Sequence, residues 1–174
     1  MNIAFFLRAG DAAVPPEPPL PEGMTLRLWR PNDKSGRDPL RIGVKIQHLL
    51  SLYDDDRYTE IGIWFEGTRL HRLIVTPRWH RFPFMDRGDL QIGGVWTHPA
   101  WRRRGLASLS VHCAHRLFAA PGQRLWYVTD SANGASIALA KGSGYRPAGE
   151  GRRTKPLGIA LVGQYRLDRR YTLA

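Results

Sequence analysis

The stretch that most constrains the fold of this chain is residues 95–107, VWTHPAWRRRGLA. An apolar run that predicts a strand, Leu90 to Thr97, ends close to Pro99, and three arginines and a glycine follow. From Leu106 to Phe118 apolar residues recur at helical spacing, which predicts a helix. A loop of this kind at a helix start favours phosphate, because first-turn N–H groups and the helix dipole attract anions and arginine adds charge-assisted bonds.

The rest of the chain predicts a single mixed α/β domain over residues 1–174. A proline-rich connector, residues 11–23, follows a first strand over 2–8. Because strands 90–97 and 125–129 flank the helix 106–118, we expect them to be parallel, with that helix as the crossover. The other predicted elements are strands 24–30, 60–65, 69–76, 145–147 and 157–167, a hairpin turn at 66–68, and helices 38–52 and 133–142.

The charge of the chain favours an anionic partner. The formal net charge is +11, and 22 of the 26 basic residues are arginine. This bias fits a nucleotide cofactor, an acidic substrate or nucleic acid, and arginine-rich codon usage explains it equally well. The single cysteine, Cys113, predicts a reducing, cytoplasmic location, and the apolar runs are too short for a membrane span of roughly 18 residues.

The helix 106–118 carries residue types that also bind metals, namely His112, Cys113 and His115. A helical wheel separates them, which predicts a core position for Cys113, solvated histidines and no metal site. The core face of this wheel consists of Leu106, Leu109, Cys113 and Leu117.

A second motif further along the chain, residues 133–145 (NGASIALAKGSGY), changes the meaning of the first. Together, Thr97-His98-Pro99 with Arg102 to Ala107 and this second motif resemble the two signatures of the GCN5-related N-acetyltransferase (GNAT) superfamily. The resemblance covers roughly residues 24–167. It implies a central, mixed but mostly antiparallel sheet of about six or seven strands, flanked by helices and splayed between strands 90–97 and 125–130.

The same resemblance implies a binding site for an acyl-CoA, either acetyl-CoA or another acyl-CoA. Backbone groups of residues 95–97 would pair with the pantetheine, and N–H groups from Arg103 to Ala107 would hold the pyrophosphate. Asn133 would contact the pantetheine arm, cap its helix, or do both. The implied cofactor-binding residues are Val95, Trp96, Thr97, Arg102, Arg103, Arg104, Gly105, Leu106, Ala107, Asn133 and Ser136.

The implied reaction is direct acyl transfer, in a ternary complex, from a thioester to an amine of a small molecule or sugar. The tyrosine that often protonates the leaving thiolate in the family falls at Ala140. Three alternatives stay open: Tyr127, Ser131 or Ser136 donates the proton, water donates it, or the thiolate leaves unassisted. For the base we predict Asp130, although a turn suits this aspartate as well, and His71; His98 is a further candidate.

The acceptor side is less constrained. The loop 78–87, RWHRFPFMDR, interleaves basic and aromatic residues and could line an acceptor cleft with Trp29, Tyr58 and Trp64, or be an ordinary folded surface loop. Two alternative functions stay open: a non-catalytic acyl-CoA-binding protein and a basic nucleic-acid-binding module. The scattering of the arginines disfavours the second, and a homodimer is compatible with the scheme.

Overall fold

The computed structural model describes residues 2–13, 16, 18–33, 39–154 and 163–172, which form one eight-stranded sheet with helices on it. The strands are β1 (Asn2–Ala9), β2 (Met24–Trp29), β3 (Thr59–Phe65), β4 (Thr68–Pro77), β5 (Leu90–Thr97), β6 (Arg124–Asp130), β7 (Arg146–Arg153) and β8 (Tyr165–Arg170). The helices are α1 (Pro39–Leu49), α2 (Leu106–Phe118) and α3 (Gly134–Gly142), with a 3-10 turn at Pro99–Trp101. Of these three helices, none is long and apolar enough to cross a membrane.

The sheet has the strand order β2-β3-β4-β5-β6-β1-β7-β8, and only the β5–β6 pair is parallel. This confirms the predicted mixed, mostly antiparallel sheet and the meander β3-β4-β5. In the predicted hairpin turn, Glu66 and Gly67 have φ values of 47° and 76°, as the two central residues of a type I′ turn require.

The parallel pair β5–β6 is short, which confirms the predicted splay. Its register runs only from Leu90–Leu125 to Ile92–Tyr127, and beyond these residues no β5–β6 pairing is present in the described part of the chain. Since α2 crosses over between the two strands, its N-terminus lies near the place where they separate. The end of β5 therefore keeps backbone N–H and C=O groups that face a gap.

The two faces of the sheet are covered differently. On one, the helix face, α2 and α3 pack on buried residues such as Leu73, Ile92 and Tyr127. On the other, the loop face, Phe5 and Trp126 lie beneath Phe82, Phe84 and Met85 of the segment 78–88. Here α1 adds Val44 to an aromatic cluster of Trp29, Tyr53, Tyr58 and Trp79.

The C-terminal strands depart from the prediction. The strand predicted at 145–147 continues to Arg153, and β8 covers Tyr165–Arg170, whereas the predicted run 157–167 lies largely outside the described residues. Glycines in β7 weaken its strand pattern in the sequence. At Gly151 glycine is required, because a Cβ there would collide with the carbonyl oxygen of Arg166. The helix predicted over 38–52 ends at Leu49, and residue 38 is outside the described residues.

The helical-wheel prediction for α2 was half right. Cys113 is in the core as predicted, but Leu117 is 44% exposed and His115, predicted to be solvated, is only 1% exposed. The Nε2 atom of His115 hydrogen-bonds the Tyr145 hydroxyl at 3.0 Å. Burial, and to a lesser extent Arg8, lowers the pKa of His115 to about 3, so the buried ring is neutral. The prediction of a solvated His115 was wrong because a residue outside α2, Tyr145, covers the side of the helix that carries this histidine.

Candidate functional site

A cleft of about 520 Å³, here called the first cleft, lies where β5 ends and α2 and α3 begin. It brings together ten of the eleven residues that the sequence predicted as cofactor-binding. Its walls are Val95, Trp96, Thr97, Trp101, Arg102, Arg103, Gly105, Leu106, Ala107, Ser108, Asn133, Ala135, Ser136 and Leu139.

The N-terminus of α2 forms one wall of the first cleft. Gly105 is its N-cap in the left-handed conformation (φ 77°), and a Cβ there would have no atom within 4 Å. The first helical hydrogen bond runs from the N–H of Leu109 to the carbonyl of Gly105, at 3.0 Å. The N–H groups of the preceding turn therefore have no helical acceptor, and they can bind an anion together with the helix dipole.

The three arginines before α2 differ in their surroundings. Arg102 donates from Nε to the carbonyl of Thr97 at 3.3 Å, and Arg103, with φ 61°, lines the cleft beside it. The guanidinium of Arg104 instead lies 4.6 Å from the ring centroid of Trp101 and is not among the lining residues. Thus two arginines face the first cleft, whereas Arg104 packs against an aromatic ring.

The end of α3 nearest the cleft is held by Asn133. Its Oδ1 accepts a hydrogen bond from the N–H of Ser136 at 3.1 Å, which makes Asn133 the helix N-cap, one of the two roles foreseen for it. Ser136 lines the first cleft, and it lies close enough to Tyr127 of β6 to lower the pKa of that hydroxyl, although burial raises this pKa more strongly. Ala140, one turn further on, is fully buried in the core cluster that contains the Tyr127 ring.

A β-bulge in β5 separates the first cleft from a second cavity. Ile74 pairs with Gly93 and Arg72 pairs with Trp96, so β5 carries one residue more than β4 over this interval. Gly94 lies in the bulge with φ 59°, and a Cβ there would come within 2.7 Å of Ile74 Cδ1. Glycine is therefore required by both the backbone conformation and the packing.

The second cavity, of about 300 Å³, lies on the loop face over this bulge. Two of its walls, Gly93 and Gly94, directly precede the β5 residues that line the first cleft. Its other walls are Val44, Gln47, Tyr53, Tyr58, Ile74, Thr76, Trp79, Arg81, Phe82, Gln91, Val128 and Tyr165. The first cleft and the second cavity thus adjoin consecutive residues of one strand.

The second cavity is aromatic and positively charged. Burial raises the pKa of Tyr53, whose hydroxyl lies 2.6 Å from Gln47 Oε1, to about 12, and it also raises the pKa of Tyr58. Burial, followed by the charge of Arg153, lowers the pKa of Arg81. Within the described part of the chain, neither the first cleft nor the second cavity is lined by Asp, Glu or His.

Neither of the two residues predicted to be catalytic, Asp130 and His71, lines the first cleft or the second cavity. Asp130 Oδ1 accepts from the N–H of Ala132 at 2.9 Å in the turn after β6, the structural role that the sequence also allowed. His71 is fully buried, and its Nδ1 lies 2.8 Å from Oγ1 of Thr97, which lines the first cleft. Burial, with a smaller effect of Arg72, lowers the pKa of His71 to about 4.

The aromatic loop was only partly foreseen. Trp79, Arg81, Phe82 and Tyr58 line the second cavity, as the acceptor hypothesis required, whereas Trp64 lies outside it near Arg27. Sequence reasoning missed the contributions of Gln47, Tyr53, Gln91 and Tyr165. The pair Gly93-Gly94 inside a strand was the available signal, since adjacent glycines there indicate a bulge or a close approach.

Comparison with known proteins gives the following similarities. The sequence profile of the acetyltransferase (GNAT) family matches residues 39–145. Among the curated proteins, none matches this chain.

Solved structures share the fold at low sequence identity. A protein from Novosphingobium aromaticivorans assigned to the GNAT family is 17% identical (TM-score 0.55), and the match covers 86% of this chain and 60% of that one. A Drosophila protein is 20% identical (TM-score 0.59), with 86% and 48% covered. The aminoglycoside N-acetyltransferase AAC(6')-Iy, in complex with a CoA-based bisubstrate analogue, is 14% identical (TM-score 0.50), with 71% and 90% covered. This chain thus spans about half to three fifths of the length of the first two.

Proposed function

This chain belongs to the acetyltransferase (GNAT) family, and we propose that it transfers an acyl group from an acyl-CoA, with acetyl-CoA as the first candidate, to the amine of a small molecule or sugar. The observation that carries this proposal is that two separate openings adjoin at one bulge in β5. The first cleft presents helix N–H groups and arginines, and the second cavity has mainly aromatic walls. This arrangement suits a donor and an acceptor that react in one ternary complex.

The residues of the first cleft fit an acyl-CoA. Gly105 leaves open space in front of the first turn of α2, where the diphosphate would be held by N–H groups and by Arg102 or Arg103. The unpaired edge of β5 at Val95 to Thr97 would hold the pantetheine. When bound, the acyl-CoA supplies a thioester carbonyl that an amine can attack, and a backbone N–H near Trp96 or Thr97 would polarise that carbonyl.

The electrostatics of the second cavity favour a neutral amine. Arg81 lines the cavity, and no carboxylate of the described residues lines it. Positive neighbours and burial both lower the pKa of an ammonium group, so an acceptor amine would enter the cavity in its deprotonated, nucleophilic form. Under this proposal the chain needs no dedicated base within the cavity.

The departing thiolate needs a proton, and Ser136 is the best-placed group to deliver it. Its hydroxyl is at the first cleft, close to the buried hydroxyl of Tyr127. In the proposed step Ser136 gives its proton to the thiolate and takes up the hydroxyl proton of Tyr127, and solvent later returns a proton to the tyrosine. In this proposal Tyr127 of β6, acting through Ser136, takes the role of the helix tyrosine of the family, whose position is occupied here by the buried Ala140.

Catalytic roles for Asp130 and His71 stay predictions. D130N keeps an oxygen for the turn hydrogen bond to Ala132, and H71N removes the imidazole beside Thr97. Loss of turnover in D130N with unchanged affinity for CoA would support Asp130 as the base. In H71N, a change in KM alone would indicate that His71 positions Thr97 rather than moving a proton.

Two measurements test the proposed function. Calorimetry with CoA should detect one site, and release of free CoA from acetyl-CoA should depend on an added amine from a broad panel. CoA binding without amine-dependent release would favour the non-catalytic alternative. Salt-sensitive binding to nucleic acid without affinity for CoA would favour the basic-module alternative and contradict the proposal.

A further inference from the structure

A small chamber of about 120 Å³ opens beside the second cavity and shares three of its walls, Val44, Tyr58 and Ile74. Its remaining walls are Trp29, Arg41, Glu60 and Arg72. We call this space the side chamber. Because the walls are shared, a molecule seated over the β5 bulge can extend one end into it.

The side chamber contains one carboxylate that is already paired. Glu60 is 5% exposed, and its Oε1 accepts from Arg41 Nη2 at 2.7 Å and from Arg69 Nη1 at 3.4 Å. Arg41 is also fixed by its guanidinium, which lies 4.8 Å from the ring centroid of Trp29. The carboxylate of Glu60 is therefore paired with arginines other than Arg72.

Arg72 is the unmatched charge. In the described part of the chain its guanidinium has no hydrogen bond or ion pair, and its Nε is buried without a partner, as is the Nε of Arg41. Its charge contributes to lowering the pKa of His71, although burial contributes more. Two arginines, Arg41 and Arg72, thus line the side chamber together with one carboxylate, that of Glu60.

Such an arrangement calls for an anion, because a sheltered guanidinium without a counter-ion loses hydration and gains nothing in return. We propose that the side chamber binds the carboxylate of the acceptor, with Arg72 as the main ligand and Arg41 beside it. The acceptor would then be an amine that also carries a carboxylate, as amino acids do. That the bound acid is an acyl acceptor rests on the proposed function, whereas the carboxylate site itself does not.

The strand register sets the size of this acceptor. Arg72 is two residues before Ile74 on β4, and Ile74 pairs with Gly93 at the bulge. Two residues of a strand span about 7 Å, which a short spacer between amine and carboxylate can bridge. The aromatic walls Tyr53, Tyr58 and Trp79 suit an apolar or aromatic body.

The test uses carboxylates without an amine, so that it does not depend on turnover. Phenylacetate, 3-phenylpropionate and 4-phenylbutyrate are compared with their carboxamides by calorimetry on the whole protein. At least one acid should bind roughly 10- to 100-fold more tightly than its amide, as expected for hydrogen bonds to a charged partner. R72Q should remove that difference, and R72K should restore part of it.

R27Q is the matched control, because Arg27 is exposed and lies 5.3 Å from the Trp64 ring centroid, outside the side chamber. R27Q should keep the preference for acid over amide. The proposal is overturned if no carboxylate binds better than its amide, or if R72Q keeps the preference. Acid-selective binding that depends on Arg72, without release of CoA from acetyl-CoA when amino acids and the broad amine panel are supplied, would contradict the proposed function and leave the carboxylate site standing.

Discussion

Gly105→Glu tests the placement of the acyl donor most directly. Gly105 has φ 77° at the N-cap of α2, and its missing Cβ would face open space. A glutamate there brings a carboxylate to the place where the diphosphate is proposed to bind. The left-handed backbone adds a destabilisation of about 1–2 kcal/mol, so the effect on binding has to be separated from the effect on folding.

Gly122→Glu provides that separation. Gly122 has φ 74°, and a Cβ there would likewise meet no atom within 4 Å, but it lies in the turn between α2 and β6. Both variants should lose similar free energies of unfolding in urea titrations. The binding free energy for CoA should change only in G105E.

The size of that change follows from the repulsion between two charges. At a separation of about 4 Å it is about 1 kcal/mol in bulk water and about 4 kcal/mol near a protein surface, which corresponds to a roughly 5- to 1,000-fold weaker affinity. The loss should shrink as salt is added. Equal affinities of wild type, G105E and G122E for CoA, measured by calorimetry at low salt, would refute our placement of the diphosphate.

Three further predictions follow from the buried polar groups and the bulge. Since burial lowers the pKa values of His71 and His115 to about 4 and 3, the unfolded chain takes up protons first as pH falls below about 6.5. Each histidine should therefore lower the free energy of unfolding of the protein by about 2 kcal/mol between pH 7 and pH 5. In urea titrations, H115Q should remove about half of the combined pH dependence. S136A should lower kcat for amine acylation by about 100- to 10,000-fold with little change in KM for the donor, and a variant with unchanged kcat would exclude this serine as the acid. G94A should destabilise the fold by about 1–3 kcal/mol and lower acceptor turnover; unfolding and rate measurements would contradict us if neither changed.

The sequence predicted local structure best where a period or a turn signal was strong. The helix 106–118, the hairpin at Glu66-Gly67 and the strand before Pro99 all have direct local signatures, and the structure contains them. The grouping of Arg102, Gly105 and Asn133 in one cleft followed from family motifs and not from periodicity.

What could not be predicted depends on contacts between distant parts of the chain. The burial of His115 is produced by Tyr145, which is thirty positions away. The pairing of Arg41 with Glu60, which leaves Arg72 as excess charge, joins α1 to the sheet. The strand β7 lacks an apolar alternation because its glycines are selected by the close approach of β8. A one-dimensional pattern contains none of these relations.

The position of β1 has a consequence for how the molecule is made. Asn2–Ala9 lies between β6 and β7, so residues such as Ile3 pair with partners, Asp130 and Gly151, that are synthesised more than a hundred residues after them. Closing so long a loop slows folding, and until β1 inserts, two sheet edges stay open to other chains. A chain shortened by these residues should therefore aggregate, and a synthetic peptide of residues 2–9 added during refolding should suppress that aggregation.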